Sequence, residues 1–209
     1  MSGAEPSRYS FAPVDPSLTE ALAGLFDAAG CACFCRYWHF SGTKNDWQAR
    51  LAFTPDDGRR EMREAIAEDD AKSRGVVALT RDEPKRAVAW LSVAPLVTLP
   101  KLRKQGAYRP LDLGDEESAL AVGCLLVHPD FRKTGVGTEL LSYAVDYALA
   151  RGARSLYGFP RRAVGPLYDE AAFAGPERAF VRAGFTVSHD SPAYPVYVHA
   201  LGRSAEPQS

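Results

Sequence analysis

One segment, from Leu125 to Leu141, restricts the possible folds of this chain more than any other. An apolar run ends at Val127, a short turn follows, and Gly135 and Gly137 come directly before a helical repeat of leucines and alanines. The continuous apolar run predicts a central strand that is covered on both faces. Glycines in such a turn let the backbone approach a ligand, and the first N–H groups of a helix have no partner within it. The pattern therefore indicates a phosphate-binding turn.

Two basic residues, Arg132 and Lys133, lie in the same turn and favour a ligand that carries phosphate groups. The turn is not a nucleotide-binding P-loop, since Gly-Lys-Ser/Thr is missing, and it lacks the Gly-x-Gly-x-x-Gly pattern of dinucleotide-binding folds. The alternative is that Gly135 and Gly137 serve only the close packing of helix against strand.

The remaining hydrophobic patterns predict one α/β domain over residues 1–209, with a core at about 8–201 and a disordered tail at 203–209. We predict strands over residues 8–14, 76–80, 86–94, 119–127, 155–159, 186–187 and 196–201. We predict helices from Ser17 to the cap at Gly30, over residues 55–72, over 138–151 and over 176–183. Residues 31–40 are expected to be extended, and residues 97–118 irregular.

Charge and composition exclude several classes of protein. The 25 basic and 26 acidic residues give a net charge of −1, which argues against a nucleic-acid-binding protein. No apolar run approaches the roughly 20 residues of a membrane span, and we expect no membrane partner. No signal peptide is recognisable, and the four cysteines are too few for a disulfide scaffold, so we expect a cytoplasmic protein.

The run Leu125-x-Val127-His-Pro-x-Phe-Arg132-x-x-Gly135-x-Gly137-x-x-Leu-Leu141 resembles the acyl-CoA-binding motif of the GNAT superfamily of N-acyltransferases. Arg182-Ala-Gly-Phe185 resembles the second motif of that family, and the order of elements fits over nearly the whole chain. The resemblance implies a single-domain α/β fold with a mixed, mostly antiparallel sheet, flanked by helices, whose central strand is splayed at a bulge near Leu125–Val127.

The resemblance also implies acetyl-CoA as cosubstrate, no metal, and direct attack of a small-molecule amine on the thioester. Backbone groups of the splayed strand would pair with the pantetheine arm, and the N–H groups from Lys133 to Thr138 would hold the pyrophosphate. The cofactor-binding residues implied are Leu125, Leu126, Val127, Arg132, Lys133, Thr134, Gly135, Val136, Gly137 and Thr138.

The chain departs from the family pattern at the thiolate acid, because Phe180 occupies the position where many members have a tyrosine. Tyr168 is the candidate replacement, with water as the alternative donor. The predicted strand contains no carboxylate base, and Glu116 and Glu117 at its start would act only through water. These departures keep two alternatives open: a CoA-binding module that has lost catalysis, and an acyltransferase with another acyl donor or acceptor.

The segment after the first helix borders the acceptor pocket in this superfamily, so Trp38 and His39 are candidate substrate-pocket residues. Cys31, Cys33, Cys35 and His39 have some likeness to a zinc site. However, alternate cysteines on a strand share one face and crowd each other, so we expect buried thiols and no metal. The identity of the acceptor and a homodimeric assembly are left open.

Overall fold

The structure is a computed structural model that describes residues 7–162 and 174–202. Within these residues, seven strands form one sheet in the order β1-β2-β3-β4-β5-β7-β6. The strands are β1 (Tyr9–Pro13), β2 (Gly75–Thr80), β3 (Ala87–Pro95), β4 (Ala119–Val127), β5 (Ser155–Gly158), β6 (Thr186–His189) and β7 (Val196–Ala200). The helices are α1 (Thr19–Ala28), α2 (Lys44–Phe53), α3 (Asp57–Ala67), α4 (Pro100–Lys104), α5 (Val136–Ala150) and α6 (Glu177–Arg182).

All neighbouring strands run antiparallel except β4 and β5, which are parallel. Helix α5 covers one face of the sheet, where Leu140 and Leu141 are completely buried against strand residues such as Leu91. Helices α1 and α3 cover the other face through residues that include Leu22 and Met62. The predicted fold class is confirmed: one α/β domain with a mostly antiparallel sheet flanked by helices.

The bulge that the resemblance implies near Leu125–Val127 lies two residues earlier, at Gly123. Ser92 of β3 pairs with Cys124 and Val93 pairs with Val122, so Gly123 is the extra residue of β4. A bulge adds one unpaired residue and bends the strand. Gly123 is therefore the point at which β4 begins to diverge from β5.

The expected extended conformation of residues 31–40 is wrong. Phe34 and Cys35 have left-handed backbone with φ of 45° and 55°, and Tyr37–His39 forms a 3₁₀ turn. The ring of Phe34 stacks on Phe26 with centroids 4.8 Å apart, and it is buried under helix α1. Tertiary packing overrides the strand preference of this aromatic segment.

The predicted helix over residues 55–72 is also too long. Helix α3 ends at Ala67, Asp69 has φ of 49°, and a separate 3₁₀ turn covers Ala71–Ser73. Helix α2 before it was not predicted, although Thr43 and Asp46 form a capping box at its start. Helix α4 likewise lies inside the stretch 97–118 that was expected to be irregular.

Candidate functional site

The turn between β4 and α5 has an unusual backbone. Gly135 has φ of 94°, a conformation that favours glycine, and Lys133 has φ of 64°. The N–H groups from Lys133 to Gly137 donate to no described residue, whereas the N–H of Thr138 donates to the carbonyl of Gly135 at 2.9 Å. Five consecutive donors without a described acceptor therefore lie at the positive end of the 15-residue helix α5. Such a group of donors is suited to binding an anion.

The two glycines of the turn have different structural roles. Of the atoms in the described residues, a Cβ atom built on Gly135 would come near only the Oε1 atom of Glu139, at 3.9 Å, so no described side chain fills this side of the turn. A Cβ atom on Gly137 would lie 3.3 Å from the Cδ2 atom of Leu125, so Gly137 permits close packing of α5 on β4. The alternative that the glycines serve close packing of helix against strand is thus correct for Gly137. At position 135 the positive φ of the backbone is what favours a glycine.

Strand β1 and the segment before it hold the turn between β4 and α5 in place, and the sequence analysis did not predict these contacts. The hydroxyl of Tyr9 donates to Oγ1 of Thr134 at 3.1 Å. The Thr134 hydroxyl in turn donates to the carbonyl of Phe131 at 2.7 Å. Ser7 donates to Glu139 in the first turn of α5 at 2.5 Å. These contacts fix the loop through residues far away in sequence, so no local pattern could have identified them.

Strand β4 has an unpaired edge next to this turn. The parallel pairing of β4 with β5 ends at Val122 and Gly158, and no described strand pairs with Gly123–Val127 on that side. The N–H of His128 donates to Val88 of β3 at 2.9 Å. Because backbone groups alternate in direction along a strand, those of Leu125 and Val127 face the open side. The predicted splaying is present.

Leu126 differs from its two neighbours. Because backbone groups alternate in direction, those of Leu126 face the same side as those of His128, towards Trp90 of β3. The side chain of Leu126 is buried in the core below α1. Of the three strand residues named from the sequence, Leu125 and Val127 therefore present backbone groups to the cleft and Leu126 does not.

Trp38 and His39 lie on the same 3₁₀ turn but contact different elements. A Cβ atom on Gly123 would be 3.4 Å from Cδ1 of Trp38 and 3.4 Å from Oγ of Ser92, so the indole covers the bulge of β4. The Nδ1 atom of His39 lies 2.8 Å from the carbonyl of Thr98. Trp38 is thus placed at the splayed strand, while His39 points towards the end of β3.

Phe180 is completely buried within the core beside α5. A Cβ atom on Gly158 would lie 2.2 Å from its Cε1 atom, and one on Gly175 would lie 3.2 Å from Cε2. These two glycines make the space that the ring fills. Tyr168, the candidate acid, lies outside the described residues, as does the tail 203–209. Glu116 forms an ion pair with Arg103.

The four cysteines are unpaired thiols, and three of them are buried: Cys31, Cys35 and Cys124. The indole N–H of Trp90 donates to Sγ of Cys35 at 3.2 Å. Among the described residues, no group of three or more His, Cys, Asp or Glu side chains has an arrangement that holds a metal ion. The thiols pack in the core between α1 and the sheet.

The seven-stranded, mostly antiparallel sheet with its splayed strand and bulge is the fold of acyl-CoA N-acyltransferases. The sequence model of the Acetyltransferase (GNAT) family matches residues 32–173, which is more than half of the chain. The protein belongs to this family, and the resemblance found in the sequence is confirmed.

Solved structures show the same fold at low sequence identity. An N-acetyltransferase from Staphylococcus aureus Mu50 is 14% identical, with a TM-score of 0.53, covering 94% of this chain and 100% of its own. A ribosomal-protein-S5-alanine acetyltransferase from Vibrio fischeri is 11% identical, with a TM-score of 0.56, covering 94% and 95%. The PaiA N-acetyltransferase from Thermoplasma acidophilum, solved with coenzyme A, is 8% identical, with a TM-score of 0.50, covering 91% and 99%.

No curated protein matches the chain. Within the part of the chain that the structure describes, no helix is both long enough and apolar enough to span a membrane.

Proposed function

We propose that the protein transfers the acetyl group of acetyl-CoA to the amine of a small molecule. The observation that carries the proposal is the row of five N–H groups, from Lys133 to Gly137, that donate to no described residue and lie beside an edge of β4 that no described strand pairs with. Family membership supports acetyl transfer, and the similar fold from Thermoplasma acidophilum was solved with coenzyme A.

In this proposal the pyrophosphate of acetyl-CoA binds at the start of α5. The N–H groups from Lys133 to Gly137 donate to its oxygens, and the side chains of Arg132 and Lys133, both exposed, add positive charge. Thr134 and Val136 contribute through their backbone. Thr138 lines the first turn of the helix, with its own N–H already bound to Gly135.

The pantetheine arm would lie along the open edge of β4 as an added strand does. Leu125 and Val127 offer backbone groups there, and Leu126 contributes packing from the core side. In this proposal the thioester lies next to the bulge at Gly123, and Trp38, which lies beside Gly123, is a wall of the acceptor pocket. His39 lies on the far side of the same turn.

The chemistry has three steps that the protein must assist. An unprotonated amine attacks the thioester carbonyl, the amine loses a proton, and the thiolate of CoA leaves and is protonated. Phe180 has no proton to donate, so the acid is Tyr168 or water. A thiol with an ordinary pKa of about 8.5 leaves readily near neutral pH, so the loss of a dedicated acid costs little.

A thiol-release assay with a panel of primary amines tests the proposal. The proposal requires that at least one amine increases release of free CoA and is recovered as its amide in equal amount. Tight CoA binding without acetyl transfer to any amine would support the module that has lost catalysis. Release with a longer acyl-CoA but not with acetyl-CoA would support a different donor.

A further inference from the structure

The parallel strands β4 and β5 diverge after Val122 and Gly158, the last pair of residues that they share. Ligands of α/β sheets bind in the crevice outside the carboxyl ends of such strands. The chain that continues from Gly158 therefore lies beside the position of the proposed reaction. Arg161 is three residues beyond Gly158, and three extended residues span at most about 10 Å.

Four aromatic side chains pack together on the face of the sheet opposite to α5. Phe159, which directly follows β5, and Tyr108 are buried, with ring centroids 5.1 Å apart. The ring of Tyr194, in the loop between β6 and β7, meets Tyr108 edge-on with centroids 6.0 Å apart. Trp38 packs against the same apolar cluster and also contacts the bulge at Gly123. This aromatic cluster of Trp38, Tyr108, Phe159 and Tyr194 thus connects the bulge of β4 with the β6–β7 loop.

Arg161 lies over the outer end of the aromatic cluster. Its guanidinium carbon is 3.9 Å from the centroid of the Tyr194 ring, and its side chain is half-buried. Among the residues that the structure describes, none accepts a hydrogen bond from the Arg161 side chain, and none forms an ion pair with it. An aromatic ring occupies one face of a guanidinium and leaves the N–H groups at its edge, which are the groups that bind anions.

The neighbouring Arg162 has the opposite environment. Its Nε and Nη2 atoms donate to the carboxylate of Glu177, and its Nη1 atom donates to the carboxylate of Asp190 at 2.8 Å. The hydroxyl of Tyr197 also donates to Glu177. Because Glu177 and Asp190 are held in this way, they do not neutralise the charge of Arg161.

The surroundings of Arg161 restrict the anion that fits. The sheet separates the aromatic cluster from α5, at whose start the pyrophosphate is proposed to bind. Burial raises the pKa of Tyr108 to about 12, although the charge of Arg161 opposes this shift, so the phenol stays neutral. A single guanidinium matches the two oxygens of one carboxylate through paired N–H bonds. The four rings favour an apolar group next to that carboxylate.

We propose that Arg161 binds the carboxylate of the acceptor, while the aromatic cluster packs against its carbon skeleton and its amine lies at the bulge of β4. The acceptor is then an amino acid or a related small molecule with an apolar or aromatic body. Arg161 determines specificity and has no part in the chemical step. This proposal rests on the proposed function, whose acceptor it narrows to one chemical class.

Matched pairs of acids and their amides test the role of Arg161. Phenylalanine, leucine and 4-(aminomethyl)benzoate, each beside its own amide, are titrated by calorimetry into the full-length protein saturated with CoA. At least one acid is expected to bind about 10- to 100-fold more tightly than its amide, the range for hydrogen bonds to a charged group. Equal affinity of acid and amide in all three pairs, or no binding of any acid, would overturn the proposal.

Variants locate the effect at Arg161. Arg161→Gln is expected to remove the preference for the acid and to leave the affinity for the amide unchanged. Arg109→Gln is the matched control, because Arg109 is exposed, directly follows Tyr108, and carries the same charge near the same cluster. An equal loss of preference in both variants would show a general effect of charge and would overturn the proposal. Equal weakening of acid and amide by Arg161→Gln would show a merely structural role.

A second variant and a second ligand complete the test. Tyr194→Leu removes the ring under the guanidinium and keeps the charge, so it is expected to reduce the preference for the acid by a few-fold; an unchanged preference would contradict the proposal. A weaker affinity of Arg161→Gln for CoA itself would assign the arginine to CoA instead of the acceptor. These titrations require no turnover. A preference for acids in a protein that never releases thiol would therefore refute the proposed function and leave the subsite standing.

Discussion

Replacement of Gly135 by valine separates the effect of backbone strain from the loss of a ligand site. Gly135 has φ of 94°, so any other residue is strained there by about 1–2 kcal/mol. Among the described residues, a Cβ atom at this position would meet nothing closer than 3.9 Å. The side chain would instead occupy the open space in front of the N–H donors, where the pyrophosphate is proposed to lie.

The expected loss of affinity follows from the number of donors affected. Five N–H groups donate to no residue that the structure describes, and a side chain beside the central one blocks at least the bond of that group to the pyrophosphate and the bond of a neighbour. Hydrogen bonds to charged groups contribute about 1.5–3 kcal/mol each. The loss of two corresponds to about 3 kcal/mol at the lower limit, or about a 100-fold weaker Kd. Isothermal titration with CoA measures this directly.

Gly152 provides the matched control. It follows the other end of α5, has φ of 74°, and a Cβ atom there would meet nothing within 4 Å. Gly152→Val therefore carries a similar strain in open space but lies far along the helix from the turn. We expect both variants to lose similar stability in thermal unfolding, and only Gly135→Val to lose CoA affinity. Unchanged CoA affinity in a folded Gly135→Val protein would refute the assignment of the turn.

Three further outcomes are expected. Phe180→Tyr adds a hydroxyl to a completely buried ring, so it should lower the free energy of unfolding by about 1–3 kcal/mol in urea titrations; a large gain in turnover would instead show that the native protein is catalytically impaired. Tyr168→Phe should lower turnover about 100-fold in steady-state assays if Tyr168 is the acid, and full activity would leave water as the donor. Burial lowers the pKa of His39 from 6.5 to about 4; the hydrogen bond to Thr98 and the charge of Asp70 oppose this shift, and the charges of Arg36 and Lys72 add to it. As pH falls through 6.5, His39 therefore binds a proton in the unfolded chain before it does so in the folded protein. The free energy of unfolding should fall by about 3 kcal/mol between pH 6.5 and 4. His39→Gln should remove this part of the pH dependence in unfolding titrations, and an unchanged slope would contradict it.

The elements that dominate the core were predictable from local pattern. The apolar run Ala119–Val127 has the same bounds in the structure as in the prediction, because a strand covered on both faces has no polar positions. The helix ends at Gly30 and Gly184 were also correct, since both glycines have the positive φ of a C-terminal cap, 63° and 84°.

The parts that failed depend on contacts distant in sequence. The segment from Cys31 to Phe40 has the composition of a strand, but it folds as turns because Phe34 stacks on α1. The support of the turn by Tyr9 and the burial of Arg36 are set by tertiary packing. The position of the bulge, at Gly123, depends on the register between β3 and β4, which hydrophobic pattern does not specify.

Acetyl transfer from acetyl-CoA to an amine is measured by following the acetyl carbon itself. Isotopically labelled acetyl-CoA is incubated with the protein and the amine panel, and the products are separated and analysed by mass spectrometry. We expect a labelled amide of at least one amine, formed in the same amount as free CoA and reduced in the Gly135→Val protein but not in Gly152→Val. Label that remains on CoA with every amine, or that appears only as free acetate, would contradict it.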